Sequence, residues 1–388
     1  DSKSESQPND QDFISTALNG IKKLTPKYAA HGSEKFFLFH RNRQWNSSEN
    51  VWMGWERKRG KLQEFNCLLR EGTNTSFAIS TAPSDLLPTI RFVITLDADT
   101  RLPRDSARKL VGTILHPLNQ PHFDKELGRV TEGYGILQPR IGVSLESSGR
   151  SHFSKIFSGY TGIDPYTTAV SEVYQDLFHE GNFTGKGLYD VDAFEAALKN
   201  KVPENTILSH DLFEGLFART ALLTDIELLD DYPQSYRTFF TRQHRWIRGD
   251  WQIGPWLLPV IRDGKKNWVR NRLPLISRWK IFDNLRRSLV APSTFLLLIL
   301  GFGALPGLTL PWIAYALTLI IFPTLAQIIV GAITRRFGSR SSRIFDSASK
   351  TKITILQLLF YIIFLAHQAV LQTDAIIRVF YRKLISKS

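Results

Sequence analysis

Five residues, Phe92-Val93-Ile94-Thr95-Leu96, run without a charge and stop at Asp97-Ala98-Asp99. A short run rich in β-branched and large apolar residues, without polar alternation, predicts a central strand covered on both faces. That pattern belongs to α/β sheets flanked by helices. Residues two apart in an extended segment point the same way. Asp97 and Asp99 therefore share one side where the strand leaves the sheet. Paired carboxylates are costly there unless a cation or substrate offsets them, and open α/β sheets bind ligands at that edge. A divalent metal carrying a phosphorylated substrate is one reading. An Asp-rich turn capping the helix after Pro103 is the other, and the motif alone does not separate them.

The chain of 388 residues divides by composition. Up to about Arg287 it patterns as a soluble α/β protein, and from Leu289 onward long apolar runs dominate. The mean hydropathy of −0.15 averages the two regimes. Leu289 to Leu305 and Trp312 to Ile333 are uncharged and joined by a Pro/Gly turn. Spanning a bilayer takes roughly 20 apolar residues, so 289–333 predicts a transmembrane hairpin. Residues 276–288 mix Trp279, Ile281, Phe282 and Leu285 with Lys280, Arg286 and Arg287, as in an interfacial amphipathic helix. Residues 334–388 read as a cytoplasmic basic loop and an apolar helix, interfacial or transmembrane, near 353–370. Bases at Arg286, Arg287, Arg335 and Arg336 put both ends of the hairpin in the cytoplasm.

Much of the net charge of +13 lies beside these apolar runs, which points to membrane lipid. No nucleic-acid module is present, so no nucleic-acid partner is expected. Cys67 is the single cysteine, which excludes an intrachain disulfide and fits a reducing compartment. Asp1 to Gln11 is polar, with no apolar leader. No strand precedes the first helical pattern, as a doubly wound domain requires, so the chain is expected to be an internal piece of a longer polypeptide.

Further candidates follow along the chain. Val51 to Lys61 is dense in aromatics and bases, with Gly54 and Gly60, just before an apolar helical pattern. That arrangement suits an anion at a helix start or a solvated basic loop. Gly185 and Gly187 let backbone approach a ligand closely. Asp211 and Glu214 fall in the first turn of a helix that Ser209 can cap. The helix dipole alone accounts for carboxylates there, and a general base is the alternative. In Arg242-Gln243-His244-Arg245-Trp246-Ile247-Arg248, a helix puts Arg242, Arg245 and Trp246 on one face. Arginine grips phosphate in bidentate fashion, and Trp offers a flat face to a sugar ring. An exposed, ion-paired helix is the plainer reading. Taken together, a metal at Asp97 and Asp99 would bridge a nucleotide diphosphate held by Arg242, Arg245 or Arg248. Asp211 would deprotonate an acceptor hydroxyl above Trp246. One base without a covalent nucleophile implies displacement with inversion.

The order Asp97-x-Asp99, Ser209-His210-Asp211, Arg242-x-x-Arg245-Trp246, then apolar helices resembles the membrane-embedded processive glycosyltransferases of the cellulose synthase-like group. Four segments narrow the likeness: Trp52 to Lys61, Gly162 to Thr167, Phe183 to Asp192 and Gln243 to Trp251. They resemble the glycosyltransferase region of cyclic β-1,2-glucan synthases, and the likeness covers nearly the whole chain. It implies a GT-A (Rossmann-like) α/β domain over 1–275 that lacks its first strand. It implies glucose transfer from UDP-glucose to a growing β-glucan acceptor, with Mg2+ or Mn2+ at Asp97 and Asp99. By the same resemblance, Lys61 lies near the donor nucleotide, with Asn66 completing its motif. Gly187 and Tyr189 join Trp246 on the acceptor side. Arg242 stands where the group has Gln, so either Arg242 or Gln243 contacts the donor. His210 stands where the group often has Glu. The implied setting is multi-pass in a bacterial inner membrane, with the catalytic domain cytoplasmic. Ring closure belongs to domains outside this chain. A synthase of another linkage, or a non-catalytic glucan- or nucleotide-binding membrane protein, fits the same features.

Overall fold

The computed structural model describes residues 1–28, 34–70, 72–158, 172–207, 211–305, 307–334 and 343–386. Gly162 to Thr167, Ser209, His210, Arg335 and Arg336 therefore lie outside the described residues.

Helix α1 (Asp10–Tyr28) leads into β1 (Phe39–Arg41), β2 (Gln44–Asn46) and β3 (Val51–Met53). Then come α2 (Arg57–Leu69) and β4 (Phe77–Ser80). β2 pairs with β3 and β1 with β4, both antiparallel. The main sheet holds β5 (Phe92–Thr95), β8 (Ile136–Val143), β9 (Gly187–Asp190) and β10 (Thr220–Asp230), in the order β10-β8-β9-β5. Between β5 and β8 stand α3 (Ser106–Ile114) and the antiparallel pair β6 (His122–Asp124) and β7 (Arg129–Glu132). Three short helices, α4 (Leu145–Gly149), α5 (His152–Phe157) and α6 (Val173–Phe178), precede β9. β9 then leads into α7 (Val191–Leu198), and α8 (Asp211–Ala218) leads into β10.

The fold is mixed α/β, as the pattern predicts, but the sheet is not uniformly parallel. β8 and β10 are parallel, whereas β9 runs antiparallel to both β8 and β5. β5 is an edge strand of this sheet and only partly covered, not the buried central strand expected from its composition. It also pairs over four residues only. Leu96 is already exposed, and Asp97 opens a turn in which the Thr100 N–H donates to the Asp97 carbonyl at 3.0 Å.

Both faces of the sheet are packed. Leu188 on β9 joins Leu110, Ile114 and Leu137 against α3. The next residue, Tyr189, points the other way into Phe183, Phe194, Phe213, Leu216 and Phe217, as the period of two in a strand demands. Each such large side chain contributes about 1.5–3 kcal/mol by leaving water.

After β10, helix α9 (Tyr236–Gln252) and the pair β11 (Val260–Arg262) and β12 (Trp268–Arg270) precede the apolar part. The interfacial and spanning segments expected separately form one helix, α10 (Leu275–Gly303), which continues through Pro292. Ile281 and Leu285 near its start bury into the same apolar core as Tyr189 and Phe213, whereas Leu296, Ile299 and Phe302 are exposed. Among the described residues α10 is the single helix long and apolar enough to cross a membrane by itself. A buried ammonium fixes its base. Lys280 Nζ donates to the carbonyls of Glu180 and Gly181, at 2.7 and 3.0 Å.

Helices α11 (Thr309–Thr334), α12 (Arg343–Ile363) and α13 (Leu365–Tyr381) follow, and a π-helical turn over Arg382–Ser386 ends the described residues. The apolar run expected near 353–370 is broken. Lys352–Ile363 and the stretch from Leu365 meet at 64°, a bent pair that has the length and composition of one broken span or of a re-entrant loop. α13 lies along α9. Tyr236 Oη sits 2.7 Å from His367 Nδ1, and His244 Nε2 sits 2.8 Å from Asp374 Oδ2.

Candidate functional site

Two lysines converge on Asp97. Lys58 Nζ donates to Asp97 Oδ1 at 2.8 Å and to the Gly185 carbonyl at 2.9 Å. Lys186 Nζ lies 3.4 Å from Asp97 Oδ2 and also pairs with the buried carboxylate of Asp230. Thr100 Oγ1 donates to the other oxygen of Asp230 at 2.7 Å. A backbone bridge between Arg101 and Leu229 brings the turn after β5 to the end of β10, which is why Asp230 reaches this cluster. Asp99 is held separately, by Arg242 Nη2 at 3.3 Å from Oδ2. The end of β5, the segment before β9, the end of β10 and helix α9 thus meet at one edge of the sheet.

Burial works against charge on Asp97, but Lys58 and Lys186 hold its carboxyl below the usual range. Burial likewise opposes the Lys58 ammonium, yet Asp211, Asp97 and Glu214 together raise it above an ordinary lysine. Asp211 is thus electrostatically part of the cluster. Its carboxylate packs on Gly185, whose φ is +84°, and a Cβ on that glycine would lie 2.6 Å from Asp211 Oδ1. Only glycine combines that backbone angle with that approach. Glu214, one turn along α8, is fully buried, and its carboxyl is pushed well above the usual range, first by burial and then by Asp211.

The residues singled out in the sequence divide into three groups. Asp97, Asp99, Asp211 and Arg242 come together at this edge. Trp246 lies under Arg242, with the guanidinium 5.5 Å from its ring centroid. Lys61 is exposed on α2, on the side of the Lys58 and Arg41 cations. Arg245 is exposed, one turn from Arg242, and Gln243 is half-buried beside them. Arg248 points elsewhere. Its pKa is lowered by burial and by Arg382, and Glu49 is the acid that faces it. Six residues of helix rotate it well away from Arg242, so the arginines do not form one grip.

Gly187 and Tyr189 belong to the core rather than to an acceptor surface. Tyr189 is fully buried, donates its hydroxyl to Asn66 Oδ1 at 2.7 Å and stacks on Phe194. A Cβ on Gly187 would meet the Leu137 carbonyl at 2.2 Å, so this glycine permits β8 and β9 to close. Conversely, Lys58, Lys186 and Asp230 at this edge are not among the candidates that the sequence singles out, whereas Gly185 is. Two of them carry a sequence signal, since Lys58 lies in the basic run and Lys186 stands between Gly185 and Gly187.

Among the described residues, no three His, Cys, Asp or Glu side chains gather as a closed metal site. Asp97 and Asp99 keep 38% and 34% of their side chains exposed. A hard cation such as Mg2+ uses one or two carboxylates, keeps waters and completes its shell with substrate phosphates. The two aspartates fit such an open site and do not fit a permanently caged ion.

No family model matches the chain. The chain is 45% identical, over its whole length, to part of the cyclic beta-(1,2)-glucan synthase NdvB of Rhizobium meliloti (strain 1021). It spans 13% of the length of that relative.

Proposed function

We propose that this chain, a cyclic β-glucan synthase region by its end-to-end match to NdvB, is the part of a longer polypeptide that adds glucose to the growing glucan. The donor is UDP-glucose and the linkage formed is β-1,2. The observation that carries this reading is the meeting of Asp97, Asp99, Asp211 and Arg242 at one sheet edge, linked through Lys58 and Gly185.

In this reading the domain is a GT-A fold, and Asp211 is the general base. It takes the proton from the acceptor hydroxyl as that oxygen bonds to the anomeric carbon and the bond to the diphosphate breaks. Attack from the side opposite the leaving group inverts the anomeric centre. Arg242 and the exposed Arg245 face the diphosphate as charge builds on it, stabilising the transition state more than the ground state. Lys61 lies toward the nucleotide, and Trp246 forms the floor under the acceptor sugar. Asp97 and Asp99 would hold Mg2+ or Mn2+, which when bound neutralises charge on the leaving diphosphate.

The exposed apolar flank of α10 supports anchorage in a membrane, and Arg286 and Arg287 beside it favour the cytoplasmic side for the catalytic domain. Membranes carrying the full protein, incubated with radiolabelled UDP-glucose, are expected to yield polymer degraded by a β-1,2-specific glucanase. Asp211→Asn is expected to reduce synthesis by at least 10³-fold. A β-1,3 or β-1,4 product would overturn the linkage, and an active Asp211→Asn enzyme would overturn the base.

A further inference from the structure

We propose that Lys58 is a positioning residue that occupies the cation's place on Asp97 in the donor-free protein, so that a divalent ion gains Asp97 only by displacing it. This rests on the metal-dependent reading of the same site.

The geometry around Lys58 is over-determined. It follows two consecutive non-glycine residues in the left-handed region, Glu56 at φ 47° and Arg57 at φ 51°. Such backbone strain persists only where surrounding contacts impose it, and it clusters at functional sites. Here Arg41 imposes it. Its guanidinium donates to the carbonyls of Trp55 and Arg57, at 3.0 and 2.8 Å, while pairing with Glu64 at 2.7 Å. Arg57 is pinned in turn by Glu49 at 2.7 Å. Gly60 seals the turn, since a Cβ there would lie 2.0 Å from the Trp55 carbonyl.

The result places a lysine in the first turn of α2, a helix with no acid in that turn. A cation there opposes the helix dipole, so helix stability does not explain the position. What the position does is carry one ammonium to Asp97 Oδ1 and to the carbonyl of Gly185, the residue on which Asp211 packs. Lys58 thereby spans the two halves of the site, the metal-side carboxylate and the base-side loop. Asp97 is flanked by Lys58 at Oδ1 and Lys186 at Oδ2, and an incoming divalent ion competes with Lys58 for Oδ1. Donor-free protein then holds the ion weakly, and the donor's phosphates are needed to complete the exchange.

The test is Mn2+ binding to the purified full protein, followed by electron paramagnetic resonance without nucleotide and then with UDP. Lys58→Met is expected to bind Mn2+ at least tenfold tighter than wild type without nucleotide. Lys58→Arg, which keeps the charge, is expected to stay within threefold of wild type and reports whether the turn still folds. Asp97→Asn is expected to abolish binding in either background. Unchanged or weaker Mn2+ affinity in Lys58→Met, with Asp97→Asn still abolishing wild-type binding, would overturn the role of Lys58 and leave the metal site standing. If wild type binds no Mn2+ even with UDP, or Asp97→Asn makes no difference, the metal reading itself falls and this inference with it.

Discussion

Gly185→Ala tests the assignment of Asp211 without altering Asp211. The added methyl would sit 2.6 Å from Oδ1, 2.8 Å from Cγ and 2.9 Å from Oδ2 of Asp211. To reach ordinary contact, the carboxylate must retreat by about 0.8 Å, and a misplacement of about 1 Å at a reacting group costs on the order of 10²-fold in rate. That is about 2.7 kcal/mol of transition-state stabilisation. The backbone adds its own cost, because alanine in the left-handed region loses roughly 1–2 kcal/mol. The expected outcome is a folded protein with a lower thermal midpoint and a kcat for transfer from UDP-glucose reduced about 10²-fold. The readout is initial rate of polymer formation at saturating donor, normalised to folded protein. Combining Gly185→Ala with Asp211→Asn separates steric action through Asp211 from general damage. If the methyl acts through the base, the double variant is about as slow as Asp211→Asn alone, since residues in contact are not additive. A Gly185→Ala enzyme within threefold of the wild-type rate, or full additivity in the double variant, would refute the reasoning.

Two further outcomes follow from the core. Tyr189→Phe strands the buried Asn66 acceptor, and is expected to lower stability by about 1–3 kcal/mol while leaving the transfer rate per folded molecule unchanged. A raised KM for acceptor with unaltered stability would instead return Tyr189 to the sugar site. Glu214 has a folded pKa raised well above 4.5, first by burial and then by Asp211. Its stabilising contribution is therefore complete below pH 4.5 and is lost as pH rises toward the folded value. Thermal midpoints of wild type and Glu214→Gln, compared from pH 4.5 to about 7.5, should diverge in favour of the variant as pH rises, and parallel curves would contradict the assignment.

The parts legible in the sequence are those governed by local periodicity and composition. The strand expected from Phe92 is β5, the helix expected to open at Asp211 is α8, and the helix expected around Arg242 to Arg248 lies within α9. Asp97, Asp99 and Arg242 stand out in the sequence because their charges break with their neighbours. What was not legible is pairing at a distance. Lys58 reaches Asp97 across 39 positions and Lys186 reaches Asp230 across 44. No periodicity encodes such contacts. Strand direction is a second example, since nothing local tells that β9 opposes β8 and β5. Phe183 to Tyr189 shows a third limit. Within seven residues the segment passes from core, to the edge facing Asp211, and back into the sheet, so one motif mixes site and scaffold. Assigning Gly187 and Tyr189 to the acceptor treated that motif as a single surface.

The clamp of Lys280 on the Glu180 and Gly181 carbonyls has a mechanical meaning. Those carbonyls lie a few residues before Gly185 and Lys186, so the loop that packs on Asp211 is referenced to α10 as well as to the sheet. From Lys280 to Gly303 the helix extends about 35 Å at roughly 1.5 Å per residue. Lys280 is then the fulcrum of a lever whose long arm is apolar and whose short arm ends in the domain. Moving the far tip sideways by about 3 Å turns the rod by only about 5°. The sheet edge that gathers Asp97, Asp99, Asp211 and Arg242 is therefore geared down from motions of the distal end.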